Sequence, residues 1–135
     1  DELIQEADCI SLHATATPET IGRMNADAFA KMKSTSYLIN SARGDLIDEP
    51  ALAMALTNGE IAGASVDVFL HEPLAAGSPL RSAPNLMISP HAAWYSDVAV
   101  ESLQSLVADE ITRALTGKSA RRPIPTLNPQ EVQET

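Results

Sequence analysis

The chain has 135 residues, 44% hydrophobic and 20% charged, the composition of a folded domain and not of a disordered segment. Its net charge of −9 argues against direct contact with nucleic acid or anionic membranes, which call for clustered Lys and Arg. The lone cysteine, Cys9, excludes an internal disulfide and a cysteine-based zinc site, and no metal is expected.

Cys9 lies in an apolar run and is expected to be a small buried hydrophobe. A free thiol fits a reducing cytoplasm. No run approaches the roughly 18 apolar residues of a membrane span. The chain opens on Asp1-Glu2 without a basic segment leading into an apolar one, so no secretory leader is read. The missing initiator Met and the length together suggest a piece of something longer.

In chain order, Asp1–Ala7 reads as the end of a helix. Four short apolar runs follow, at Asp8–His13, Ser36–Ala42, Gly63–Phe69 and Asn85–His91. They are near-continuous rather than alternating, the pattern of strands buried on both faces of a parallel sheet. Between the first two runs Asn25 can cap a helix over Ala26–Met32. Between the second and third, Asp48 can cap Glu49–Thr57, with Pro50 in the tolerant first turn and Asn58-Gly59 as the stop. The link from Phe69 to Asn85 holds Glu72-Pro73 and Gly77-Ser78-Pro79 and reads as a loop. A long helix is predicted from Asp97 to Leu115, capped by Ser96 and stopped at Gly117. Its buried stripe would be Val100, Leu103, Val107, Ile111 and Leu115. The proline-bearing tail from Arg121 reads as an arm or unstructured. The order β-α-β-α-β-loop-β predicts an α/β fold with about four parallel strands and right-handed crossovers.

Ligands in such sheets bind beyond the carboxyl ends of the strands. Those ends carry His13; Asn40-Ser41-Ala42-Arg43-Gly44; Asp67 with Glu72 just after; and Pro90-His91. One edge thus collects an Arg, two carboxylates and two His, a set suited to acid–base work on an anionic substrate. Each has a plainer reading beside the functional one. Arg43 reads equally as a surface charge, although Gly44 lets backbone approach a ligand closely. Glu72 reads as a solvated loop carboxylate, and His91 stands among small residues that leave room for a ligand. His13 reads as locally hydrogen-bonded and His71 as exposed. Trp94-Tyr95 reads as core or as pocket wall, core being favoured for large aromatics.

A Glu72–His91 hydrogen bond would fix the imidazole tautomer and stabilise the imidazolium. Such general acid–base help is worth about 10²–10⁴ in rate. Arg43 would hold a substrate carboxylate through a two-pronged hydrogen bond. The set suits oxidation of a hydroxy acid or reduction of a keto acid, with the hydride coming from a cofactor, since no side chain supplies it.

At these residues the sequence resembles the D-isomer-specific 2-hydroxyacid dehydrogenases. The likeness runs through Ala7-Asp8-Cys9-Ile10-Ser11-Leu12-His13, then Met32-Lys33 and Leu38-Ile39-Asn40-Ser41-Ala42-Arg43-Gly44-Asp45-Leu46-Ile47-Asp48. It continues through Gly63–Phe69, Glu72-Pro73, Pro84-Asn85-Leu86 and Pro90-His91, covering about residues 1–118. Pro90-His91-Ala92-Ala93-Trp94-Tyr95-Ser96 looks most like the C-terminal-binding-protein branch, which includes NAD-sensing corepressors.

The resemblance implies the second half of a Rossmann-like, doubly wound NAD-binding domain with a long C-terminal helix. It divides the chain into that half (1–96), a helix returning toward a substrate domain (97–118) and a flexible tail (119–135). It implies catalytic Arg43, Glu72 and His91; a substrate pocket of Arg43, His91 and Trp94; and cofactor contacts from His13, Ala14, Ser41, Ala42, Arg43, Asp67, His91 and Ala93. The implied cofactor is NAD, with NADP as the other choice, the substrate is a small 2-hydroxy or 2-keto acid, and the parent is expected to be a homodimer. One departure stands out: the six glycines at 22, 44, 59, 63, 77 and 117 contain no Gly-x-Gly-x-x-Gly loop. The expected activity therefore belongs to the longer parent, and the isolated piece is expected to be inactive. The alternative is a cofactor-gated binding module with little catalysis.

Overall fold

A computed structural model describes residues 2–122. The chain divides after Ala93 into two compact units. The first begins with the short helix α1 (Glu2–Glu6) and holds the strands β1 (Cys9–Leu12), β2 (Tyr37–Asn40), β3 (Gly63–Val66) and β4 (Leu86–Ile88), with the helices α2 (Ala26–Phe29) and α3 (Glu49–Asn58) between them. The strands form one sheet in the order β1-β2-β3-β4, and every pair is parallel. Four parallel strands joined through helical segments are the α/β arrangement expected from the apolar runs.

Local chemistry sets the helix ends. Asn25 accepts from the Ala28 amide at 3.1 Å and Asp48 from the Ala51 amide at 3.0 Å, each satisfying an amide that the first helical turn leaves without a backbone partner. Gly59 ends α3 in the left-handed region at φ 69°, where a side chain would be strained. Helix α2 stops at Phe29, short of the expected Met32. Beyond it the amides of Lys31 and Met32 bond three residues back, to Ala28 and Phe29, so the chain tightens into turns while Met32 stays buried.

The register places Ile10, Leu38, Ala64 and Leu86 side by side on one sheet face. That face joins Phe29, Leu52, Leu56, Ile61 and Leu80 in a single core. Phe29, Leu38 and Leu52 are fully buried, each contributing roughly 1.5–3 kcal/mol through surface removed from water. On the opposite face Tyr37 is 54% exposed, Met87 69%, and Cys9 is exposed too. This corrects the expectation of strands buried on both faces and of a buried Cys9. Both crossover helices follow connections running the same way across the sheet, so right-handedness puts them on the same side.

The second unit holds α4 (Asp97–Leu115). Ser96 caps it by accepting from the Ala99 amide at 3.1 Å, and Gly117 follows its end at φ 72°. None of its residues is buried, which corrects the expected buried stripe. Leu103, Val107, Ile111 and Leu115 are all exposed, because no second layer exists within this unit among the described residues. Trp94 and Tyr95 meet edge-to-face at 5.5 Å yet both are exposed, so the favoured core reading of this pair also fails. Most of the tail expected to be flexible, residues 123–135, lies outside the described residues. No helix among the described residues is long and apolar enough to cross a membrane.

Candidate active site

The carboxyl ends of β2, β3 and β4 carry three loops that meet around a cleft of about 270 Å³. Arg43, Asp45, Glu72 and His91 line it, with Gly44 and Phe69. The structure therefore brings together the three residues expected to be catalytic.

Arg43 is set by the residue three before it. Asn40, buried at the end of β2, accepts from the Ala42 amide at 3.0 Å and donates to the Arg43 carbonyl at 2.8 Å. A buried side chain that closes a turn in this way leaves no unpaired polar atom behind. Arg43 itself is exposed and donates to the Ala42 carbonyl at 2.7 Å. Next to it, Gly44 lies against the backbone after β3. A Cβ there would sit 2.0 Å from the Phe69 carbonyl carbon and 2.4 Å from the Leu70 nitrogen. That contact brings the Arg43 turn against the Glu72 loop.

Glu72 is held from two directions. Its Oε1 accepts from the Phe69 amide at 3.0 Å, and its Oε2 meets His91 Nδ1 at 2.7 Å. The His91 hydrogen bond, backed by the Phe69 amide, holds the Glu72 carboxyl below its ordinary value. The neighbouring Leu70 amide donates to Glu49 Oε1 at 2.8 Å, which ties the same loop to the first turn of α3. Glu72 precedes a cis proline bond to Pro73.

His91 sits in the left-handed region at φ 54°, a conformation that costs a non-glycine residue roughly 1–2 kcal/mol. Asp67 holds it there. The buried Asp67 accepts from the His91 amide through its backbone carbonyl at 2.8 Å. Its side chain accepts from the Ala92 and Ala93 amides at 2.8 Å each and from the Ser89 hydroxyl at 2.5 Å. Desolvation pushes the Asp67 carboxyl up. The Ser89 hydroxyl, the two amides and the charge of nearby His91 outweigh it and hold the group below its ordinary value. With Glu72 on Nδ1, the orientation of the His91 ring is fixed.

The other expected cofactor residues are dispersed along the same edge. Ser41 and Ala42 precede Arg43 in its turn, and Ala93 is tied to Asp67. His13 and Ala14 follow β1 and are exposed, and His13 Nε2 bonds Ser11 Oγ at 2.9 Å. None of His13, Ala14 and Ser41 lines the cleft. Sequence reasoning assigned no role to Asn40, Glu49 or Ser89. An Asn at a strand end just before a turn is a signal that would have found the first. Glu49 and Ser89 act across 21 and 22 residues of chain, to Leu70 and Asp67, and carry no local signal.

Residues 1–93 match the model of the D-isomer specific 2-hydroxyacid dehydrogenase NAD-binding domain. The chain is similar to a glycerate dehydrogenase of Methylorubrum extorquens, at 40% identity over 87% of this chain and 38% of that protein. It also resembles the NAD-complexed crystal structure of a D-isomer specific 2-hydroxyacid dehydrogenase from Lactobacillus delbrueckii ssp. bulgaricus. There the TM-score is 0.78 at 32% identity, covering 89% of this chain and 40% of that one. An NADPH-dependent glyoxylate/hydroxypyruvate reductase from Sinorhizobium meliloti gives a TM-score of 0.83 at 34% identity, over 92% of this chain and 39% of that one. The chain thus spans about two fifths of these proteins. With parallel-sheet topology, family match and structural likeness in agreement, the chain belongs to the D-isomer specific 2-hydroxyacid dehydrogenases, as part of their NAD-binding domain.

Proposed function

We propose that this chain supplies the nicotinamide-side half of the cofactor domain, and the acid–base and carboxylate-binding side chains, of an NAD(P)-dependent D-2-hydroxyacid dehydrogenase. The observation that carries this reading is the cleft in which Arg43, Glu72 and His91 converge, with the His91 Nδ1–Glu72 Oε2 contact at 2.7 Å. The donor set fits the nicotinamide end of a dinucleotide. Backbone at His13-Ala14, Ser41-Ala42-Arg43 and His91–Ala93 lies beyond the carboxyl ends of β1, β2 and β4 of the parallel sheet, where such ligands bind. It does not include a pyrophosphate loop, since the glycines at 22, 44, 59, 63, 77 and 117 form no Gly-x-Gly-x-x-Gly.

Bound at that edge, a nicotinamide would give hydride to, or take it from, C2 of the substrate. The side chains do the rest. Arg43 pairs with the substrate carboxylate, a charge-assisted bond worth about 1.5–3 kcal/mol. His91 Nε2 gives its proton to the keto oxygen in reduction, or takes the hydroxyl proton in oxidation. Glu72 keeps the ring in the tautomer that makes this exchange possible and stabilises the imidazolium. The parent is read as a homodimer working in a reducing cytoplasm.

The test is turnover of the full-length protein, followed by NADH or NADPH absorbance with glyoxylate and hydroxypyruvate. His91→Ala should lower kcat by about 10²–10⁴, and Arg43→Ala should act mainly through KM. Wild-type protein that binds NADH without turning over any 2-keto acid would refute the enzyme and favour a cofactor-gated binding module.

A further inference from the structure

Asp67 is a buried carboxylate with both oxygens committed to the protein. Oδ2 accepts from the Ala93 amide at 2.8 Å. Oδ1 accepts from the Ala92 amide at 2.8 Å and the Ser89 hydroxyl at 2.5 Å. These donors differ in what stands behind them. The two amides belong to the turn that carries His91 and move with it. Ser89 belongs to the frame: its own amide bonds the Val66 carbonyl at 3.1 Å, extending the β3–β4 ladder one residue past Ile88.

The Asp67 amide bonds the Asn40 carbonyl at 2.9 Å, so the backbone of Asp67 is likewise part of the sheet. What the backbone leaves loose is rotation of the carboxylate about Cβ–Cγ, a broad torsion without a staggered well. Two amides on adjacent residues can follow such a rotation. A hydroxyl anchored in the ladder cannot, and the carboxylate plane is thereby fixed relative to the sheet. His91, held at φ 54°, then has its backbone placed from β3 while Glu72 orients its ring.

We propose that Ser89 is a positioning residue for His91: its hydroxyl pins the Asp67 carboxylate to the β3–β4 frame, and the pinned carboxylate sets the left-handed turn that presents the imidazole. Nothing in this requires Ser89 to touch substrate or cofactor. The catalytic consequence rests on the dehydrogenase reading given above, whereas the mechanical part does not.

The experiment therefore has two arms, both on the full-length protein. In the first, amide hydrogen exchange is followed by NMR at Ala92, Ala93 and, as a reference in β3, Val66. Ser89→Ala should speed exchange at Ala92 and Ala93 by about 10-fold or more and leave Val66 unchanged, as expected for a local opening. In the second arm, Ser89→Ala should lower kcat by about 10- to 100-fold, the scale of a catalytic group misplaced by a fraction of an ångström to one ångström. KM for the keto acid should stay within about twofold, because Arg43 holds the carboxylate independently. Ser89→Thr keeps the hydroxyl on a residue suited to extended backbone and should restore kcat to within about threefold of wild type.

If Ser89→Ala does not fold, Ser89→Cys, with a weak donor of similar size, takes its place. Unchanged exchange at Ala92 and Ala93 overturns the proposal. So does faster exchange with kcat unchanged, or a Thr variant as impaired as the Ala variant. A wild-type protein without turnover refutes the dehydrogenase reading instead, and the exchange arm still decides whether Ser89 pins the turn.

Discussion

Replacing Gly44 by Ala should damage the site from a position that carries no functional group. The new Cβ would stand 2.0 Å from the Phe69 carbonyl carbon, 2.3 Å from its oxygen and 2.4 Å from the Leu70 nitrogen. All three are backbone atoms and cannot swing aside like the end of a side chain. Reaching ordinary contact at about 3.4 Å needs the two segments to part by about 1.4 Å, the kind of overpacking that costs typically 1–3 kcal/mol. The separation falls between the Arg43 turn and the Phe69–Glu72 loop, whose Phe69 and Leu70 amides are held by Glu72 and Glu49. A catalytic group misplaced by about 1 Å can cost 10²-fold. The expected result is therefore a fall of roughly 3–12 °C in Tm and a loss of about 10²-fold in kcat/KM of the full-length protein. Gly77→Ala is the control: a Cβ there meets nothing within 4 Å and the backbone is not left-handed, so stability should change by less than about 1 kcal/mol. If Gly44→Ala matches Gly77→Ala in Tm and turnover, the close approach does not set the cleft.

Three further outcomes follow from the same geometry. Asn40→Ala removes a buried side chain that pairs the Ala42 amide and the Arg43 carbonyl; leaving those groups unpaired should cost about 2–4 kcal/mol in denaturant unfolding and raise KM for the keto acid. The Asp67 and Glu72 carboxyls are both held below their ordinary values, so their contribution to stability is complete above about pH 4.5 and is lost as pH falls through the lower folded values. Stability followed from pH 7 to pH 2 should show the gap between wild type and Asp67→Asn narrowing on the acid side; a constant gap would refute the anionic role of Asp67. Arg43→Lys keeps the charge but loses the planar two-pronged donor, and steady-state kinetics should give a KM for the keto acid raised about 10-fold or more, with a smaller change in kcat.

The elements that the sequence made legible are those set by local chemistry. Asn25, Asp48 and Ser96 each accept from the amide three residues on, and the parallel sheet follows from apolar runs with helical segments between them. The misplaced boundaries have a common cause. The third strand was expected to run to Phe69 but ends at Val66, because the Phe69 and Leu70 amides turn to the carboxylates of Glu72 and Glu49 instead of the ladder. An apolar run reports which residues leave water, and Val68 and Phe69 do; it is silent on where their amides go. The stripe on α4 was a correct reading of periodicity and an incorrect reading of burial, since amphipathicity states what a helix can bury and not what is there to cover it.

The same division separates the residues read from the sequence as catalytic from those that position them, of which Asp67 was read only as a cofactor contact and Gly44 only as a point of close approach. Arg43, Glu72 and His91, the residues proposed to carry the chemistry, stand at strand ends, so residue type and topology together point to them. Asn40, Gly44, Asp67 and Ser89 decide where those side chains stand, and they do it through contacts that cross from one strand end to the next. Gly44 signalled a close backbone approach and Asn40 a turn at a strand end, and Asp67 gave its own warning in the sequence, as a carboxylate within an otherwise apolar run. A buried charge there must find donors, and the donors it finds are the amides after His91. The side chains of the proposed reactive residues Arg43, Glu72 and His91 are exposed. Their geometry is therefore fixed by buried polar atoms and one close backbone approach, and substitutions at those positions should change catalysis without touching a reacting atom.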